Sequence, residues 1–256
     1  MLLAALVAMT TVNGATDPPV TADDLVAGRF RWTVGPPLVS PADRPDDPCH
    51  AIKDPSIVFQ EGRWHLFATI RSQTRTHQIE YLSFTDWKEA NQAERHLLKI
   101  CDGYFCAPQV FYFSRHKKWY LIFQTSDPSR KPELQPAFST AASVSDPGSW
   151  SKPTWLFDTQ PTDVARWIDF WVICDESKAH LFFTSLDGRM WRCETKLSDF
   201  PKGWTQPSVV LRDDIFEASH TYRLRGLNKF LTLIEAQDGD RRYYKAYLAD
   251  RLDGDW

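Results

Sequence analysis

Three acidic residues recur at one place in a repeated sequence plan. Asp54 opens DPSIVFQEGRWHLFATI (54–70), Asp169 opens DFWVICDESKAHLFFTS (169–185), and Glu217 opens EASHTYRLRGLNKFLTLIEA (217–236). A further segment of the same plan, APQVFYFSRHKKWYLIFQT (107–125), carries Ala107 in that position. Such a set suits hydrolysis of a glycosidic bond. One carboxyl protonates the departing oxygen and a second activates water on the far face of the sugar. In inverting enzymes the two stand roughly 6.5–9.5 Å apart to admit that water. A third carboxylate can hold the acid's pKa up by like-charge repulsion. Singly, each acid has a plainer reading: Asp54 before Pro55 as a turn start, Glu217 as a solvated strand end. Three in phase, beside Ile52, Trp167, Phe170 and Phe216, point to a site.

The elements that must position these acids follow from the repeat. Each unit reads as a strand of β-branched and aromatic residues, a short polar turn, and a second aromatic-rich strand. The turns fall at Glu61-Gly62, Arg115–Lys118, Asp175–Lys178 and Gly226–Asn228. A third strand and a closing tryptophan follow, in YLSFTDW (81–87), ASVSDPGSW (142–150), WRCETKLSDFPKGW (191–204) and YKAYLADRLDGDW (244–256). Long amphipathic helix patterns are absent, and only KEANQAERHLL (88–98) reads as briefly helical. Three or four strands repeated at about this period predict an all-β propeller, whose innermost strands line a central channel. Four units are visible, and RFRWTV (29–34) offers an extra strand of the kind that closes such a ring. The expectation is a five-bladed β-propeller with its last blade incomplete in this chain.

Composition narrows the partners. The 256 residues carry a net charge of -3 with both signs mixed along the chain, so no nucleic acid and no anionic membrane surface is expected. Aromatics make up 14% of the chain, 11 of them Trp, which serve β cores first and sugar stacking second. The opening MLLAALVAMTTVNGA (1–15) reads as a signal peptide, with 16–28 as linker and 29–256 as the propeller domain, C-terminally shortened, of a secreted protein. Cys49, Cys101, Cys106, Cys174 and Cys193 form no C-x-x-C or Cys/His cluster, and their spacing assigns no bond. The seven histidines lack metal-ligand spacing. His65 and His180, in equivalent second strands, read as packing. His220 either lines the funnel or packs. No G-x-S-x-G, P-loop or Rossmann glycine pattern occurs, which removes serine-hydrolase, kinase and dehydrogenase readings.

AIKDPSIVF, APQVFYF with WYLIFQT, WIDFWVICD, FEASHTY and DGDRRYYKAY resemble the motifs of glycoside hydrolase family 62, from about residue 29 to 256. That family comprises α-L-arabinofuranosidases with five-bladed propellers related to family 43. The resemblance implies Asp54 as general base, Glu217 as general acid, and Asp169 as modulator of that acid's pKa. It places Lys53 against the arabinose and Tyr104 near the −1 and +1 sugars. Gln124, Glu235 and His220 fall in matched segments as further substrate contacts, with blade-to-blade hydrogen bonding as the alternative for Gln124 and Glu235. Cys106 stands where a small residue is expected. No cofactor is implied. A structural calcium belongs to the family, and the segment carrying a histidine near it has no counterpart here. The implied activity is inverting release of arabinofuranose from arabinoxylan or arabinan, by a monomer. The alternatives are a carbohydrate-binding propeller without catalysis and a propeller glycosidase of different sugar specificity.

Overall fold

The computed structural model describes residues 20–256. The expected signal peptide and the start of the linker lie outside the described residues. Fifteen strands form four antiparallel sheets, each built in chain order from one sequence unit. Sheet one holds β1 (Cys49–Gln60), β2 (Arg63–Ser72), β3 (Gln78–Phe84) and β4 (His96–Leu97). Sheet two holds β5 (Phe105–Phe113), β6 (Lys118–Ser126), β7 (Leu134–Ala141) and β8 (Thr154–Trp155). Sheet three holds β9 (Ile168–Cys174), β10 (Lys178–Thr184), β11 (Arg189–Lys196) and β12 (Ser208–Arg212). Sheet four has three strands, β13 (Glu217–Leu224), β14 (Lys229–Asp238) and β15 (Arg241–Ala249). The propeller architecture therefore stands, with four blades among the described residues where five were expected.

Local chemistry explains the hairpins. Glu61 and Gly62 both take positive φ, 51° and 75°, as a turn matched to the twist of β1 and β2 requires. Asp175 builds the β9–β10 turn by accepting from the amides of Ser177 and Lys178, each at 2.7 Å.

Successive sheets bury aromatic cores between them. Phe67, Ile79, Phe105, Leu121 and Phe123 fill the space between sheets one and two. Phe113, Tyr120, Phe138, Trp167, Phe170 and Phe183 do so between sheets two and three. Ile173, Phe182, Met190, Phe230 and Ile234 join sheets three and four. The recurring tryptophans close these cores: Trp150 meets Phe67 edge-on, Trp204 meets Phe200, and Trp256 meets Phe182. Trp87 packs on Trp64 at the outer face of sheet one. His65 and His180 are packing residues, buried and bonded to Tyr81 and Asp175 in their own blades.

Several expected elements differ. Residues 29–34 form no strand; Trp32 and Val34 are 70% and 92% exposed. In the segment read as linker, Ala22–Val26 is a short helix closed by a Thr21–Asp24 capping box. The third strand of unit two lies at Leu134–Ala141, ahead of ASVSDPGSW. In that stretch Ser143 and Asp146 accept from the nearby amides of Ser145 and Gly148, which competes with a ladder. The segment 88–98 splits into a 3-10 turn, Trp87–Gln92, and β4. The fourth strands β4, β8 and β12 are short, and the periodic pattern did not reveal them.

Candidate active site

One irregularity repeats in all four sheets and builds the site. Each innermost strand carries an extra residue at the same place. The pairing runs Lys53 with Thr69 then Ser56 with Phe67, Cys106 with Gln124 then Gln109 with Ile122, and Ile168 with Thr184 then Trp171 with Phe182. In sheet four Glu217 pairs with Glu235, then Ser219 with Ile234. The bulged residues are Asp54, Ala107, Asp169 and Ala218, with φ of 51°, 53°, 56° and 59°. Such bulges re-aim side chains and recur beside active sites. They also revise the expected phase. Asp54 and Asp169 share the bulge position with Ala107 and Ala218. Glu217 stands one residue earlier, with Lys53, Cys106 and Ile168, because aligning acid on acid ignores the extra residue.

Blade-to-blade bonds fix these bulges. The amide of Ala107 donates to the Thr69 hydroxyl at 2.8 Å, and that of Asp169 donates to Gln124 Oε1 at 3.2 Å. The Ala218 amide donates to Asp169 Oδ2 at 3.0 Å. Asp169 is therefore both an acid of the site and the stitch that sets the strand carrying Glu217. Two residues past three of the bulges a second stitch appears. Ser56 accepts from the Val110 amide, Gln109 bonds both the amide and the carbonyl of Val172, and Trp171 Nε1 donates to the Thr221 carbonyl.

The electrostatics separate the acids. Asp169 is partly buried. Burial, then the charges of Asp54 and Glu217, push its carboxyl up to about 7, while Lys53 and the Ala218 amide oppose. Glu217 also titrates above its ordinary value, through burial and then repulsion from Glu235, with Arg242 and Lys53 opposing. Lys53 Nζ stands 3.4 Å from Asp54 Oδ2. Burial works against the Lys53 ammonium, but Asp54 and further negative neighbours outweigh it and hold the charge.

The other expected residues divide. Tyr104 is tied to its neighbours: its hydroxyl accepts from Cys106 Sγ at 3.1 Å and from Gln124 Nε2 at 3.2 Å, and its ring meets His77 at 4.8 Å. Gln124 is 2% exposed and its amide is engaged between Asp169 and Tyr104. His220 stacks on Trp171 at 4.3 Å, and burial lowers its pKa to about 4, so the ring is neutral near pH 7. Burial pushes the Cys106 thiol up to about 12. Among the described residues no three His, Cys, Asp or Glu side chains converge as a metal-ligand set.

Sequence reasoning passed over Arg242, Tyr244 and Thr69. Arg242 Nη1 lies 2.8 Å from Glu235 Oε1 and 3.4 Å from Glu217 Oε1. Tyr244 is paired with Glu235 across β14 and β15, is 69% exposed, and feels the charges of Glu235, Asp54, Glu217 and Asp169. DGDRRYYKAY contains the first two residues, and the register β13–β14–β15 that joins them to Glu217 was the missing signal.

The sequence model of glycosyl hydrolase family 62 matches residues 31–256. Over 235 residues the chain is 35% identical to α-L-arabinofuranosidase C of Cellvibrio japonicus, an alignment covering 89% of this chain and 35% of that enzyme. The chain thus spans about a third of the length of that curated relative. Its fold superposes with a TM-score of 0.82 on the catalytic domain of the family 62 α-L-arabinofuranosidase of Coprinopsis cinerea, at 35% identity over 89% of this chain and 73% of the other. A family 62 hydrolase solved with xylotriose gives a TM-score of 0.78 at 33% identity, over 86% and 72% of the two chains. A thermostable family 43 glycoside hydrolase shares the fold at 15% identity, with a TM-score of 0.57. With the match running through every blade and both acid-bearing bulges, the chain belongs to glycosyl hydrolase family 62.

Proposed function

We propose that this chain is an inverting α-L-arabinofuranosidase that releases arabinofuranose side chains from arabinoxylan or arabinan. The observation that carries the reading is that Asp54, Asp169 and Glu217, from three innermost strands, lie near enough for the charges of Asp54 and Glu217 to act on Asp169. Asp54, 3.4 Å from the Lys53 ammonium, is the base that takes a proton from water. Glu217, half-buried and raised in pKa, donates its proton to the departing glycosidic oxygen. Asp169, charged or neutral between them, sets how readily Glu217 gives up that proton. Water attacks from the Asp54 side, the bond to the polymer oxygen breaks, and the sugar leaves with inverted configuration. Lys53 and Tyr104 flank the space the arabinose would take.

The substrate class rests on the relatives, two of them arabinofuranosidases by name and one a hydrolase solved with xylotriose. Secretion and action outside the cell on plant cell-wall polysaccharide, as a monomer, belong to the same proposal.

We also propose a fifth blade beside sheet four. Ser56, Gln109 and Trp171 each bond the next innermost strand, and the residue at the corresponding place in sheet four is His220. Glu235 likewise holds the position from which Thr69 and Gln124 accept a bulge amide. Tyr222, 41% exposed next to Trp171, is the kind of apolar surface another blade would cover.

The decisive experiment replaces Glu217 with Gln and follows arabinose release from arabinoxylan oligosaccharides. A loss of about 10²–10⁴-fold is expected for removing a general acid. Turnover at the native rate would reject Glu217 as the acid.

A further inference from the structure

A general acid must carry its proton into the reaction, yet Glu217 lies 3.4 Å from a guanidinium that favours its ionised form. Sheet four contains the group that resolves this conflict. Glu217 pairs directly with Glu235 across β13 and β14, and Glu235 pairs with Tyr244 across β14 and β15. Arg242, two residues from Tyr244, therefore shares their face and reaches Glu235 on the diagonal. Its Nη1 is 2.8 Å from Glu235 against 3.4 Å from Glu217. Its guanidinium also lies 4.2 Å over the ring of Phe216, the residue before Glu217.

We propose that Glu235 is a positioning residue for Glu217: it takes Arg242 as its own ion-pair partner and leaves the Glu217 carboxyl free to carry a proton. The inference rests on the reading of Glu217 as the acid. The charged and titratable groups facing Glu217 are Lys53 and Asp54 from β1, Asp169 from β9, Glu235 from β14, and Arg242 and Tyr244 from β15. Of these, only Glu235 both repels Glu217 and pairs with Arg242. Removing it takes away a like charge and releases Arg242 toward Glu217, and both changes favour ionised Glu217. Removing Arg242 acts in the opposite direction.

The test is a carbon-13 NMR titration of the Glu217 carboxyl in the full chain, its resonance assigned by its absence from Glu217→Gln. Glu235→Gln should lower the titration midpoint by about one pH unit, Arg242→Gln should raise it, and the double variant should fall between. In arabinose release, the alkaline limb of the kcat profile should move with the midpoint. Above it, Glu235→Gln should turn over roughly tenfold more slowly for each pH unit by which the midpoint falls. A Glu235 that merely supports the β13–β14 ladder would weaken the fold without moving either midpoint, and an unmoved midpoint in Glu235→Gln overturns the proposal. If Glu217→Gln retains full activity, the assignment of the acid fails instead. The titration still reports the charge arrangement in that case.

Discussion

The strands that carry Asp54 and Asp169 hold their acids differently from the strand that carries Glu217. In sheets one and three the acid is itself the bulged residue, in left-handed backbone. In sheet four that conformation falls on Ala218, and Glu217 precedes it on ordinary strand backbone. Asp tolerates left-handed backbone better than most residues, because its short polar side chain can bond locally. The proposed base and modulator are thereby fixed by main-chain geometry. The acid gains a longer side chain and a setting tuned by charge, with Glu235 and Arg242 beside it. On the proposed mechanism, the pair fixed by backbone would set where water and sugar sit, and the residue set by charge would govern when the proton moves.

The largest expected effect lies on the rigid side. Asp54→Asn keeps shape and removes the base, and arabinose release should fall by about 10²–10⁴-fold with little change in melting temperature. A variant retaining more than a tenth of native activity would move the base elsewhere.

Asp169 offers a stability readout. Its folded carboxyl titrates near 7 against an ordinary 3.8, so the folded state binds the proton more tightly than the unfolded chain. That contribution is full below the unfolded value and is lost as pH rises toward 7, at about 1.4 kcal/mol per pH unit of separation. In Asp169→Asn the side-chain amide does not titrate, and its oxygen could still accept from the Ala218 amide. The variant should therefore gain melting temperature relative to the native chain between about pH 4 and pH 8, while losing activity. A gap that stays constant with pH would contradict the charge account of this residue.

The smallest effect sharpens the backbone contrast. Asp54→Val or Asp169→Val forces a β-branched side chain into left-handed φ, at about 1–2 kcal/mol from that source. Glu217→Val carries no such penalty, since branched residues suit strands. Equal losses in urea unfolding would erase the distinction.

Much of this was legible beforehand. Repeated hairpins and their closing tryptophans gave the propeller, since strand alternation and turn residues are local signals. Asp54, Asp169 and Glu217 were visible as acids at unit starts, and Lys53 and Tyr104 as their neighbours. The bulge was not visible, because one extra residue changes register without changing composition. That is why Glu217 was assigned the phase of Asp54 rather than that of Lys53. Arg242 and Tyr244 were hidden for a related reason. They join the site through two successive ladders, and a non-local register leaves no trace in spacing along the chain. RFRWTV shows the converse: a strand-like composition left largely exposed forms no strand.

The most direct test of the account is the anomeric form of the first sugar released. Proton NMR during the early turnover of an arabinoxylan oligosaccharide should detect β-L-arabinofuranose before mutarotation, as expected for Asp54 delivering water opposite to Glu217. Initial release of the α anomer, or none at all from folded protein, would contradict it.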